Sequence, residues 1–178
     1  MKYYSLILIT TMLAATPIAH AKSTIEKYGD IGQILIPLTA YGATYYLDDV
    51  EGRQQFYKSF LTTFLITHGL KLTVKKKRPN NNGSQSFPSG HTSAAFQGAA
   101  FIQKRYGWKY GLPAYVAASF VGYSRVEDES RKHDLVDVLA GGSIGILSSY
   151  YFTTEYKNIT LTPYAQTDTI GVNFSMRW

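Results

Sequence analysis

Two stretches of the chain, Ile31 to Leu47 and Val138 to Thr154, run seventeen residues each without a charged side chain, and small clusters of charge break up the apolar runs between them. In these blocks apolar and polar positions do not alternate one by one, so the pattern is helical rather than strand-like. It predicts a first helix from about Ile25 to Leu47, ended by the acidic break Asp48 to Glu51. A second helix runs from Gln55 to about Lys77 and stops at Pro79, whose ring cannot continue it. Asn80-Asn81-Asn82-Gly83 reads as a loop. A third helix opens near Ser89 and reaches about Tyr106, rich in Ala and Gly for close packing. A fourth covers roughly Leu112 to Gly122, and a fifth starts between Arg131 and His133 and ends near Tyr151.

From Asn158 onward the period changes to two. Ile170, Val172, Phe174, Met176 and Trp178 alternate with Gly171, Asn173, Ser175 and Arg177, and Ile159, Leu161 and Pro163 alternate upstream. Residues 158 to 178 therefore form a β-hairpin turning near Gln166 to Asp168, with one apolar face to be covered by the helices. Two strands fall far short of the roughly eight that a membrane barrel needs. The expected fold is all-α, a compact bundle of about five helices over residues 22–157, with the hairpin packed against it.

The first residues have a different logic. Met1-Lys2, an apolar stretch from Leu6 to Ala15 and the small-residue exit Ala19-His20-Ala21 have the layout of a secretory signal, with cleavage after Ala21. The apolar core is about ten residues, where a spanning helix needs roughly twenty. The two seventeen-residue runs carry Gln, Thr, Ser, Gly and Tyr, and the mean hydropathy of the chain is −0.13. These values favour an exported, periplasmic protein that is soluble or peripherally attached, with an integral inner-membrane bundle as the alternative.

Composition narrows the chemistry. At 178 residues, 45% apolar and 15% aromatic, the chain suits one domain with a substantial core. Without cysteine it has no disulfide, thiolate metal site or cysteine nucleophile. Eighteen Lys and Arg against twelve Asp and Glu give a net charge of +6, which favours anionic ligands or an anionic membrane surface. Nucleic acid is disfavoured, because the basic residues are not interleaved with aromatics and only Lys75-Lys76-Lys77-Arg78 form a run. Oligomeric state is not legible.

Three blocks carry candidate chemistry. Lys71, Lys75 and Arg78 are spaced i, i+4, i+7, so on a helix they make one cationic stripe whose mutual repulsion a bound anion would relieve. Pro88-Ser89-Gly90-His91 stands at the start of a helix. Its free amides, the close approach allowed by Gly90 and the Ser89 hydroxyl suit an anion, with His91 beside it. His133 and Asp137 lie four apart, so on a helix the carboxylate can hold one ring nitrogen and leave the other bare as a nucleophile. Arg125 adds a guanidinium suited to bidentate binding of phosphate oxygens. Each block alone has an ordinary alternative: a solvated helix end, a Ser-capped helix with an incidental histidine, and a surface ion pair. His68, among Leu65, Ile66 and Leu70, reads as a packed histidine.

Taken together and in order, Lys71 with Arg78-Pro79, Pro88-Ser89-Gly90-His91, and Ser124-Arg125 with His133 and Asp137 resemble the type 2 phosphatidic acid phosphatase superfamily. That superfamily includes bacterial acid phosphatases, lipid phosphatases and vanadium haloperoxidases. The resemblance implies a helical bundle that hydrolyses phosphate monoesters through a phosphohistidine, needing no metal or other cofactor. His133 would be the nucleophile, Asp137 its orienting partner and His91 the general acid. Lys71, Arg78, Ser89, Gly90 and Arg125 would hold the phosphoryl oxygens. The implied substrate is a lipid phosphate, an isoprenoid diphosphate or a soluble organic phosphate. A vanadate-dependent haloperoxidase and a non-catalytic envelope protein are the alternatives. One spacing departs from the family: seven residues rather than five separate Arg125 from His133, which makes Arg131 or Lys132 the alternative to Arg125.

Overall fold

The computed structural model describes residues 23–127, 131–156, 159–166 and 169–176; the predicted signal at 1–21 and the hairpin turn at 167–168 lie outside them. Five helices form, α1 Thr24–Tyr46, α2 Val50–Val74, α3 Gly90–Tyr106, α4 Trp108–Val126 and α5 Leu135–Phe152, followed by strands β1 Ile159–Gln166 and β2 Thr169–Met176. The all-α bundle with a terminal hairpin is thus the fold.

Side-chain caps set most of the starts. Ser23 Oγ accepts from the Glu26 amide at 3.1 Å to open α1, and Asp49 Oδ1 accepts from the Gly52 amide at 2.9 Å to open α2. Asp134 and Asp137 close a capping box at the head of α5, each carboxylate accepting from the other residue's amide. At its far end α3 stops on Gly107, whose φ of +90° favours glycine.

Of the expected boundaries that move, two matter for the site. Helix α2 ends at Val74 rather than near Lys77, with Lys75 in the left-handed region at φ +48°. Arg78 therefore arrives on a loop, and Lys71, Lys75 and Arg78 do not form one helical stripe. The residue before a proline avoids the α region, so Pro79 acts on the chain ahead of it. Similarly, His133 precedes α5 instead of sharing a helical face with Asp137, because Asp134 takes the capping position.

Helix α3 is the hub, packing against each of the other four. Ala95 and Ala99 meet Ile36, Ala118 and Val121, while Phe101 and Ile102 meet Ala40 and Phe56. Small residues let backbones touch. A Cβ on Gly141 would lie 2.4 Å from the Ser89 carbonyl oxygen and one on Gly145 2.4 Å from that of Ser93, so this Gly-x-x-x-Gly face seats α5 directly on the first turns of α3. Buried polar side chains bridge the same interfaces, with Thr67 donating to Ser93 Oγ at 3.1 Å and Gln97 Nε2 to Ser59 Oγ at 2.9 Å.

Successive helices alternate in direction, which collects charge at two ends. The heads of α1, α3 and α5 and the tails of α2 and α4 share one end, where Arg125 meets Asp30 and Lys132 meets Glu26. At the opposite end Arg105 joins Asp49 and the chain after α5.

The hairpin strands pair antiparallel, Ile159 opposite Met176 and Gln166 opposite Thr169. The predicted packing of the hairpin on the helices is not seen among the described residues, where neither strand contacts a helix and Ile170 is 89% exposed. The chain leaves α5 at the end tied down by Arg105.

Candidate active site

The two histidines and the cations lie at one end of the bundle, in two adjoining clusters. The first forms around His133, which is 6% exposed. Its Nδ1 sits 3.5 Å from Asp137 Oδ2 but makes no hydrogen bond. Burial first, then the nearby Lys71 and Arg78 against the opposing pull of Asp137, push the His133 imidazole down to about 4. At neutral pH the ring is therefore uncharged and nucleophilic. Lys71 is itself held below its usual range by burial and by Arg78, and its Nζ donates to the Gln85 carbonyl at 3.0 Å. Arg78 Nε is buried without an acceptor. Two mutually repelling cations beside a neutral histidine, one with an unused buried donor, have the chemistry suited to holding an anion.

Asp137 is fully buried and more heavily engaged than a pairing with His133 alone would suggest. Its Oδ1 accepts from Lys76 Nζ at 2.9 Å, and its Oδ2 from the Asp134 amide at 3.2 Å and from Ser86 Oγ. Lys76 also pairs with Asp134, and although burial opposes it, these carboxylates raise the Lys76 ammonium above its usual range. Neither Lys76 nor Ser86 is legible as a site residue in sequence. Lys76 was hidden in a basic run, although the Asp-x-x-Asp spacing of the capping box was there to find.

The second cluster forms around His91 in the first turn of α3. His91 Nε2 lies 3.0 Å from Asp30 Oδ1, and the same oxygen accepts from Arg125 Nη1 at 2.9 Å. Arg125, 2% exposed, also donates from Nε to Ser124 Oγ at 3.1 Å and from Nη2 to the Glu26 carbonyl at 2.9 Å. Lys132, the alternative to Arg125, is paired with Glu26. Arg125 is thus first a strut between α4 and α1, with two of its five N–H donors left over. Gly29 allows this approach, since a Cβ there would lie 2.0 Å from Ser124 Oγ. Burial, then Arg125, push the His91 imidazole down to about 4, while Asp30 pulls the other way.

Ser89 joins the clusters. Its amide donates to the Asp137 carbonyl at 2.9 Å, and its buried Oγ accepts from Thr92 Oγ1 at 2.9 Å. The following amides, at Gly90, His91 and Thr92, open α3 and have no intrahelical acceptor. Open space over Gly90 is bounded by Lys71, whose Cε would be 3.6 Å from a Cβ there. Of the residues predicted from sequence, Lys71, Arg78, Ser89, Gly90, His91, His133 and Asp137 share this end, and Arg125 flanks it through Asp30. Glu26 and Asp30 were missed, because two acidic residues at the head of an apolar helix read as a first-turn signal.

The depressed histidines set a pH dependence of stability. Each binds a proton less readily in the folded chain than at its ordinary value of 6.5, so the unfolded chain takes up more protons between pH 6.5 and about 4. Acidification through that window is expected to lower the melting temperature, with little change above it. The double variant His91→Gln, His133→Gln should flatten this slope, and an unchanged slope would contradict the assignment.

A model described as the PAP2 superfamily matches residues 53–160. Lipid A 4'-phosphatase of Helicobacter pylori is 31% identical over 99% of this chain and 96% of its own length. Lipid A 1-phosphatase of Porphyromonas gingivalis is 38% identical over 43% of this chain, but over only 18% of its own length. The crystal structure of Aquifex aeolicus LpxE superposes with a TM-score of 0.61 at 19% identity, over 71% of this chain and 81% of that one, a likeness of fold.

Proposed function

Because the chain belongs to the PAP2 superfamily and is a phosphoric-ester hydrolase, we propose that it removes a phosphate monoester from a membrane lipid of the lipid A class, through a phosphohistidine at His133. The convergence of Lys71 and Arg78 on a neutral His133, with Arg78 Nε lacking an acceptor, carries this reading. His133 Nε2 attacks phosphorus while the ester P–O bond breaks, its electron pair leaving with the oxygen. His91 supplies that oxygen with a proton. Lys71, Arg78, the Ser89 hydroxyl, the amides at the head of α3 and the spare donors of Arg125 hold the phosphoryl oxygens as charge spreads over them. Water then attacks the phosphohistidine, giving its proton to His91 and releasing phosphate. Fixed cations supply the charge here, so turnover is expected to survive chelation.

The lipid substrate fits the outer surface. Between their charged ends the five helices carry no Asp, Glu, Lys or Arg over residues 31–47, 59–70, 92–103, 110–124 and 138–154. At about 1.5 Å per residue these stretches span about 18 to 25 Å, approaching a hydrocarbon core of about 30 Å. Leu38, Leu61, Leu65, Leu112, Val116, Leu139 and Leu147 within them are exposed. Among the described residues α5 is the one helix apolar enough to cross a membrane by itself, with a hydropathy of 1.3. These surfaces favour the integral bundle, the alternative in the sequence reading, over the soluble or peripherally attached one. If residues 6–21 enter the membrane as an export signal, α1 starts on the periplasmic side, and so does the catalytic end.

Alkaline washing of membranes should leave the protein in the pellet, with detergent required for release. In mixed micelles a phosphorylated glycolipid should be hydrolysed at least about tenfold faster than a soluble nucleotide. Vanadate should raise the melting temperature of the wild type but not of Arg78→Ala. Alkaline release without detergent would refute the embedding, and equal turnover of the two substrates the lipid assignment.

A further inference from the structure

We propose that Asp30 on α1 is a positioning residue for the reaction: it holds His91 through Nε2 and Arg125 through Nη1, and so turns His91 Nδ1 toward the leaving oxygen. Asp30 Oδ1 is shared by the two, at 3.0 and 2.9 Å. It lies outside the family match at residues 53–160, on a helix that carries none of the three motif blocks. Gly29 and the Arg125 contact to the Glu26 carbonyl lock this turn of α1 against α4, so the carboxylate is fixed by packing.

An imidazole that must donate a proton needs a counter-charge, and the surroundings of His91 otherwise work against one. Arg125 from α4 and Lys132 from the loop before α5 both disfavour the imidazolium, as does burial; Asp30 from α1 favours it. The phosphoryl group of a bound substrate adds negative charge on the other side of the ring. With Nε2–H donating to Asp30, the imidazolium gives its Nδ1 proton to the departing oxygen as the P–O bond breaks. His91 is left neutral in a single tautomer, with Nδ1 bare to accept a proton from the attacking water in the second step. The positioning role rests on the acid role of His91 proposed above.

The test pairs two leaving groups. A lipid or alkyl phosphate needs its leaving oxygen protonated, whereas 4-nitrophenyl phosphate releases a stable anion. His91→Ala should lower kcat/KM, which reports the steps up to release of the leaving group, by about 100-fold or more on the alkyl substrate and far less on the aryl one. Asp30→Asn should reproduce that selectivity at about 10- to 100-fold, and move the basic limb of the pH–kcat profile to lower pH, since His91 then holds its proton more weakly. Asp30→Glu should restore part of both. In the wild type, the 15N spectrum at neutral pH should show His91 as the Nε2–H tautomer, a reading that needs no variant to fold. Equal losses on both substrates in Asp30→Asn with an unmoved limb, or an Nδ1–H tautomer, would overturn the role of Asp30 alone. Absence of leaving-group selectivity in His91→Ala would overturn the acid assignment and this inference with it.

Discussion

Replacing His133 by alanine is expected to lower kcat/KM on any phosphate monoester by about four orders of magnitude or more, because no later step can proceed without the nitrogen–phosphorus bond. Rapid quenching into alkaline detergent, which spares the acid-labile N–P bond, should trap label from 4-nitrophenyl phosphate carrying a radioactive phosphoryl group on the wild-type protein and none on His133→Ala. With that aryl substrate, whose leaving group needs no proton, His91→Ala should accumulate label, since the base that activates water is missing while the nucleophile remains. The His133→Ala variant disturbs little: His133 Nδ1 makes no hydrogen bond, and the ring gives up a contact with the Ser86 backbone. By contrast, Asp137→Ala would strand Lys76, Ser86 Oγ and the Asp134 amide together, and its loss of activity would mix catalysis with folding. Turnover within tenfold of the wild type in His133→Ala would remove the phosphohistidine from the mechanism.

The largest effect on stability is expected at the opposite end. Arg105 Nε and Nη2 donate to the two oxygens of Asp49 at 2.7 and 2.5 Å, and both side chains are almost completely buried. Asp49 also accepts from Tyr106 Oη at 3.0 Å and caps α2, while Arg105 Nη1 reaches the Thr154 carbonyl at 3.1 Å. The pair joins the α1–α2 turn, the end of α3 and the segment after α5. Asp49→Ala leaves the buried guanidinium with only the largely exposed Glu51 carboxylate, 3.3 Å from Nη2, as counter-charge, which costs about 3 kcal/mol or more. That corresponds to a fall of roughly 10 °C in the melting temperature of the detergent-solubilised protein. Adding Arg105→Met should recover part of the loss, because the stranded charge is the main penalty. Below its melting range Asp49→Ala should keep the wild-type KM, since the site lies at the other end. A loss of less than about 1 kcal/mol would mean that water reaches the pair.

Helix boundaries show why part of the fold was legible and part was not. α1 and α3 begin and end within a residue or so of their expected limits, because Ser23 and Gly107 act on the chain next to them. For α4, the expected span of Leu112 to Gly122 was four residues short at each end, since Pro113 looks like a start but fits inside the first turns of a helix. Helix α2 overran at its C-terminus for the opposite reason: the left-handed turn at Lys75 has no mark in a run of lysines. The hairpin's period of two fixes its internal pairing and says nothing about where the ribbon lies.

In the site, sequence order was enough to nominate His91, His133, Asp137, Lys71 and Arg78, because their residue types and motif order are local properties of the chain. It could not show that Lys76 neutralises Asp137, that Arg125 braces α4 against α1, or that Asp30 reaches His91 across 61 positions. Such contacts depend on helix packing, which Gly29, Gly141 and Gly145 allow by bringing backbones together. The membrane reading divides in the same way. Residue order alone gives the uncharged stretches and their lengths. Their side-by-side placement, with apolar side chains facing outward, comes from the packed bundle, because alternating helices bring charges that are distant along the chain to two common ends.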